Sequence, residues 1–438
     1  MSQQERYIVA IEISSSKIIG AVGRATPSGQ LDIIAVEQEK AVDAVRFGVI
    51  RNLEDTSMRI ARIIDKLERK PAVAPRKISS VFIGLSGRSM RSITANASLS
   101  LPGETEITDE ILARLHSQAS AQAVDSSLEV VDAVPRTYYV DKRETHNPRG
   151  MIGSSISAVY DLIVCRQELK RNIERTVADK LGMKIEGFVV TALACSRLIL
   201  TDEDRSLGCM LVDLGAETTT VSIFKNNNML YFATIPMGSR NITLDLTSLS
   251  ILEVRAEDIK ITSGNAIPSE SVSALNLNGV RMSDISRVIV ARAEEIAANI
   301  QEQTVYAGID ESALPAGIIG IGGGFKLNGM LDLVGSYIPA RRGQLPSFVR
   351  VEETKAPVSE IIEVASILYA GARETDKECL EMPGQAELPA TGEPNAVPEE
   401  PQTPKGPKKG NRILRDIVGK ITNMFNGSGE DDDSDLME

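Results

Sequence analysis

Residues 209–224 (CMLVDLGAETTTVSIF) carry the side chains best suited to chemistry. An apolar strand ends in Asp213, Gly215 and Ala216 form a tight turn, and Thr218, Thr219 and Thr220 lead into a second apolar strand. Small residues let backbone N–H groups approach an anion, and hydroxyls add donors. An acid beside such a turn can hold, through water, the divalent ion that travels with a polyphosphate. The pattern predicts a β-hairpin that clasps phosphates and Mg2+. It also fits an ordinary hairpin with a polar tip, because short motifs are weak evidence alone.

Residues 7–22 repeat the idea. A strand runs into the turn Ser14, Ser15 and Ser16, and a second strand follows. Glu12 lies one position before the first strand's end, and Lys17 can reach toward a phosphate. Residues 316–330 supply a third signal: an apolar strand, then Gly322, Gly323 and Gly324, then Phe325 and a helix. Glycines there let backbone lie flat against a base or ribose, and a helix N-terminus favours phosphate. Glu257 and Lys260 stand at i, i+3 on one helical face. They read either as a solvated ion pair or as contacts to ribose hydroxyls and adenine. Such elements, far apart in the chain, predict a duplicated α/β domain with a nucleotide between its halves.

The elements that must position these residues follow from the periodicities. Strands are expected through residues 7–36, then a helix capped by Asn52 or Asp55 with an apolar stripe of Met58, Ile60, Ile63, Ile64 and Leu67. Residues 79–165 read as a separate α+β insertion without a catalytic constellation. Its elements are a strand at 80–85, a helix from 108 to about 123, and strands at 129–134, 136–140 and 156–165. Residues 166–181 read as a helix ending at Gly182. A strand at 184–190 and a small-residue helix from Thr191 follow, suited to crossing between two halves. A long helix is expected over 285–306 and an Ala/Ile helix over 359–372.

Composition limits the alternatives. The chain has 438 residues, 42% hydrophobic and 25% charged, enough for two or more cores. A net charge of −12, with no Trp, argues against nucleic acid as the main partner. The four cysteines are widely spaced without a C-x-x-C, and Cys165, Cys195 and Cys209, in apolar runs, read as buried thiols of a reducing compartment. Two separate histidines offer no metal site. The polar start lacks a signal peptide and no apolar run approaches the ~18 residues of a transmembrane helix, so a cytoplasmic protein is expected.

From about Asp376 to residue 410, Pro and Glu dominate, which predicts a flexible linker. Beyond it, Ile413, Leu414, Ile417, Val418, Ile421, Met424 and Phe425 share a helical face, flanked by Arg412, Arg415 and Lys420. This reads as an interfacial membrane helix over 411–426, against docking on protein as the alternative. The acidic end, 427–438, would repel anionic lipid or shield the helix.

In order, these elements resemble the actin/Hsp70/sugar-kinase superfamily, and most closely the FtsA family of bacterial actin-like division proteins. The most specific pieces are Ala10-Ile11-Glu12-Ile13, Ile83-Gly84-Leu85-Ser86-Gly87, Val212-Asp213-Leu214-Gly215 and Gly322-Gly323-Gly324. The resemblance implies a two-lobed actin-like fold around a nucleotide cleft, with subdomain 1A at 1–78 (completed by about 357–375) and an inserted 1C at 79–165. Subdomain 2A would span 166–240 and 307–356, and 2B 241–306. It implies ATP with Mg2+, Ser14 to Lys17 and Gly215 to Thr219 on the phosphates, and Asp213 on the hydrated ion. Glu257, Lys260 and Gly322 to Phe325 would surround the nucleoside. It also implies actin-like filaments at the inner membrane face of the division site, anionic lipid held by the terminal helix, and the FtsZ C-terminal tail bound near 241–306. Later division proteins would be recruited.

This chain departs from that pattern. Ser14 stands where such proteins usually have Gly, Ala216 and Glu217 stand for glycines, and Thr220 stands for an Asp. Glu217 costs polyphosphate binding unless it faces away or meets the cation. After Cys165 only Arg166 and Gln167 are available to position a water, so hydrolysis is expected to be slow or absent. A small-molecule kinase would need a general base that is not found and would have no use for the tethered helix. A related pilus-assembly protein, docking a transmembrane partner's peptide, would share the core, but the terminal helix argues against it.

Overall fold

The structure, a computed structural model, describes residues 5–383 except 27, 42, 269–275, 278, 353–356 and 375–377. The membrane-helix residues expected over 411–426 and the acidic end at 427–438 lie outside the described residues. Among the described residues, no helix is long and apolar enough to cross a membrane.

The first sheet has six strands, in the spatial order Lys184–Val190, Ser80–Leu85, Arg6–Ile13, Lys17–Ala25, Leu31–Lys40 and Val349–Val351. Its centre is the first hairpin, paired from Arg6 with Ala25 to Ile13 with Ile18. Covered on both faces, its strands read as nearly continuous apolar runs. One cover is the helix Leu53–Glu68, which buries Ile60, Ile63 and Leu67 and is capped by Asn52, whose side chain accepts from the Asp55 N–H. The other comprises two crossing helices, Thr191–Ile199 and Ile362–Glu374, which pack on each other. A Cβ at Gly84 would lie 2.5 Å from Ile367 Cδ1 and 2.7 Å from Thr191 Oγ1, so the strand meets both helices only as glycine.

The second sheet has nine strands. Five form the second lobe: Asn228–Ile235, Thr219–Lys225, Cys209–Leu214, Ile318–Ile321 and Ala340–Arg342. Alternation along Cys209–Leu214 serves two cores. Cys209 and Leu211 join the core around the crossing helices, whereas Met210, Val212 and Leu214 join the second lobe's core under the helix Met282–Ala307.

The other four strands, with the helix Asp109–Ser120, form the inserted subdomain around its own core. They attach to the second lobe where Arg91 pairs with Ala233. The 16-residue strand Arg91–Glu106 was not expected, because its Ser, Thr and Asn residues give a weak apolar signal. Residues 128–140 form one strand rather than two: Pro135 sits at a register shift opposite Tyr160, which the ladder absorbs.

Several boundaries differ from expectation because long-range pairing overrides composition. Ser80–Leu85, expected to open the insertion, lies inside the first sheet. Lys184–Val190 and Val349–Val351, expected in the second lobe, extend that same sheet. The expected linker start at 376 is also too early. Leu380–Glu381 pairs antiparallel with Lys77–Ile78, and Cys379 is buried with its N–H on the Tyr7 carbonyl at 2.8 Å. All four cysteines are buried free thiols, and burial pushes those of Cys165 and Cys209 up to about 12.

Candidate phosphate and cation site

Side-chain parity directs the acids toward each other. Asp213 shares the strand face of Cys209 and Leu211, toward the crossing helices. The first hairpin brings Glu12, and the helix Ile362–Glu374 brings Glu363; both are buried. Burial pushes Asp213 up to about 8, helped by Glu363 and opposed by Lys17. Burial likewise pushes Glu12 up to about 8, with Glu363 and Asp213 adding to the rise and Lys17 opposing it. Burial also raises Glu363. Lys17 donates to the Glu360 carbonyl at 2.8 Å and lies 3.6 Å from the Glu360 carboxylate, which also pairs with Lys326. Three acids and two lysines from both lobes and a crossing helix therefore converge. Among the described residues, no group of three His, Cys, Asp or Glu side chains can hold a metal ion directly. The acids fit a cation held through its water shell.

Sequence reasoning missed Glu363, Glu360 and Lys326. The available signal was a lone acid, Glu363, inside a largely apolar run from Ile361 to Ala372.

The two turns differ in what they leave available. The Ser14 hydroxyl donates to the Lys17 carbonyl at 2.8 Å, and that of Ser15 accepts from the Gly48 N–H at 3.0 Å. Ser16 is exposed. In the second turn the Gly215 N–H closes on the Thr218 carbonyl at 2.9 Å. The carbonyls of Gly215 and Ala216 accept from the N–H groups of Ser239 and Arg240, at 3.0 and 2.7 Å. Thr219 is buried and donates to the Met237 carbonyl at 2.7 Å, and Thr220 bonds Thr234 at 3.2 Å. Thr218 and Ser16 are thus the hydroxyls placed to meet a ligand. Glu217 faces away: it is buried against Arg46 and the Phe47 N–H, at 2.7 and 2.6 Å.

The glycine loop joins the second turn directly. Gly322 has φ +90°, and a Cβ there would lie 2.4 Å from Asp213 Oδ1. Any side chain would strike the carboxylate. Gly323 faces open space, while a Cβ at Gly324 would lie 2.4 Å from Leu214 Cγ. Phe325 does not offer its ring to a nucleoside. The ring is fully buried in the second lobe's core, and the Phe325 carbonyl accepts from Arg342 at 2.7 Å.

Glu257 and Lys260 meet as their spacing implied, at 2.8 Å on the helix Glu253–Ser263. The pair is not simply solvated: Lys260 is buried and also donates to Thr243 at 2.9 Å and the Ser239 carbonyl at 3.2 Å. Burial lowers its basicity, with Glu257 opposing. Gln167 is exposed and donates to the Ser126 carbonyl at 3.1 Å, which ties it to the inserted subdomain.

Comparison with known proteins follows this geometry. The sequence profile of the family described as Cell division protein FtsA matches residues 210–372. That described as the SHS2 domain inserted in FTSA matches residues 87–164. The chain is 29% identical to the cell division protein FtsA of Porphyromonas gingivalis over 356 residues, covering 78% of this chain and 74% of that protein. It is 27% identical to the FtsA of Pseudomonas aeruginosa, covering 78% and 84%. Among solved structures, a chain of the PilM-PilN type IV pilus biogenesis complex superposes with a TM-score of 0.60 at 15% identity, covering 84% of this chain and 99% of that one. This likeness bears on the fold alone. With an actin-like fold, an inserted subdomain and relatives of one kind, the chain is similar to the FtsA family of cell-division proteins.

Proposed function

We propose that this protein binds ATP with Mg2+ between its lobes and works as an actin-like filament subunit that tethers FtsZ filaments to the inner membrane face and recruits later division proteins. The observation that carries the nucleotide reading is the convergence of Lys17, Asp213 and the Gly322–Gly323 backbone at one place. Ser16, Lys17, Gly215 and Thr218 would hold phosphates, and Asp213 the hydrated ion. Bound Mg2+ supplies positive charge against the polyphosphate. Glu257 and Lys260 would face the nucleoside, with the backbone of Gly323 beside it. Because Glu217 turns away and Gln167 is tied elsewhere, the site supports binding without rapid turnover; the expected rate lies well below the ~1–100 per second of kinases.

The FtsZ tail is assigned to the second lobe, near 241–306. A groove of about 410 Å3 on the helix Met282–Ala307, lined by Ser283, Arg287, Val290 and Glu294, supports a peptide site there. The membrane reading rests on the basic amphipathic pattern at 411–426. The deciding experiment is liposome co-sedimentation of the full chain against one ending at Lys405, with anionic lipid. Pelleting of the full chain only supports the tether. If both remain soluble, the terminal stretch docks on protein and the tethering function is lost. A pull-down with the FtsZ tail tests the partner separately: absence of binding would favour a pilus-type role.

A further inference from the structure

Glu217 occupies a position in the phosphate turn where small residues would serve a ligand best, yet it is 3% exposed and fully engaged. Its Oε1 accepts from Arg46 Nε at 2.7 Å and its Oε2 from the Phe47 N–H at 2.6 Å, both in the first lobe. From its own lobe, Arg240 Nη1 lies 3.5 Å away. Arg240 also reaches Glu253 at 2.8 Å and, across the lobes, Asp43 at 3.5 Å; Asp43 lies 3.7 Å from Arg46. A buried carboxylate is costly unless paired. The bonds that satisfy this one most closely exist only when the lobes are together.

The receiving loop is built for the contact. Phe47 and Gly48 both have positive φ, +51° and +77°, which presents the Phe47 N–H outward. The Gly48 N–H donates to Ser15 of the first phosphate turn at 3.0 Å. The Phe47 carbonyl accepts from the Arg88 N–H at 3.1 Å, at the root of the inserted subdomain. The Arg88 guanidinium also lies over the Phe47 ring, 5.3 Å from its centroid. One loop therefore touches both phosphate turns and the start of the insertion.

We propose that Glu217 is an interlobe latch: it holds the two phosphate turns and the root of the inserted subdomain together whether or not a nucleotide is bound. Closure that a ligand would otherwise have to induce is supplied by the chain's own carboxylate. The nucleotide clause rests on the reading above; the latch itself does not.

The test is hydrogen exchange and small-angle scattering on the full chain, with and without ATP and Mg2+, for wild type, E217A and R46A. Without nucleotide, E217A should speed exchange of the Phe47 and Gly48 amides about tenfold or more. It should also speed exchange at Arg88 and enlarge the radius of gyration. R46A should shift the same quantities in the same direction by less. Wild type should be unchanged by ATP. Unaltered exchange and radius in E217A overturn the latch, as does closure of wild type on adding ATP. If E217A does not fold, R46A, at a partly exposed residue, decides the same question. Binding of a fluorescent ATP analogue is measured separately. Its absence would overturn the nucleotide reading and leave the nucleotide-free comparison to decide the latch.

Discussion

Glu363 is the lone acid in the largely apolar run of a crossing helix, facing two more acids from different strands. Their carboxyls hold protons in the folded chain at a pH where the unfolded chain has released them. The folded state therefore binds more protons between about pH 4.5 and 8, and stability falls as pH rises through that window. E363Q removes the group that raises both neighbours. It should stabilise the nucleotide-free protein at pH 8 more than at pH 5, by a difference on the order of 1 kcal/mol in urea melts. Equal effects at both pH values would sink the shared-proton account. Gly322 offers a second test: with φ +90° and no room for a Cβ, G322A must push the loop off Asp213. Affinity for a fluorescent ATP analogue should drop about tenfold or more, with a smaller loss of stability. At this scale Asp213 was legible because strand, acid and small turn are contiguous. Glu363 was not, because its significance depends on strands distant in sequence. Phe325 misled because an aromatic after a glycine loop suits a base as well as it suits a core.

Long-range pairing decides what an element is worth. The inserted subdomain meets the second lobe through the pairing of Arg91 with Ala233 and through Arg136, which bonds buried Asp161 at 2.6 and 2.9 Å and the Leu230 carbonyl at 3.1 Å. R136A strands the Asp161 charge, and should destabilise the protein by about 3 kcal/mol and speed amide exchange along residues 228–235. Undiminished stability would show that the ion pair is dispensable for the joint. The short strand Leu380–Glu381 gives another test. A chain ending at Gln385 should melt like the full chain. One ending at Asp376 should melt about 4–8 °C lower, since it leaves Ile78 uncovered and removes buried Cys379 and Leu380. Elements with strong periodicity, such as Leu53–Glu68 and Met282–Ala307, were readable from the sequence. Arg91–Glu106 and the two- and three-residue edge strands were not, because their pairing partners, rather than their own residues, define them.

In the whole molecule, the two lobes and the insertion meet around the crossing helices and around the loop bearing Phe47. The duplicated plan was legible from two similar hairpins, whereas the ion network between the lobes was not. If the chain beyond residue 383 is anchored to a surface, the docking of residues 378–383 acquires a mechanical meaning. Tension arriving along the backbone is first borne by the two-residue ladder with Lys77–Ile78 and by the hydrogen bond between Cys379 and Tyr7. Tyr7 is the second residue of the strand that ends at the turn of Ser14, Ser15 and Ser16, and Ser80, whose N–H also donates to the Cys379 carbonyl, begins its neighbour. A load on the tether is thus carried into two adjacent strands of the first sheet, and along one of them to the phosphate turn.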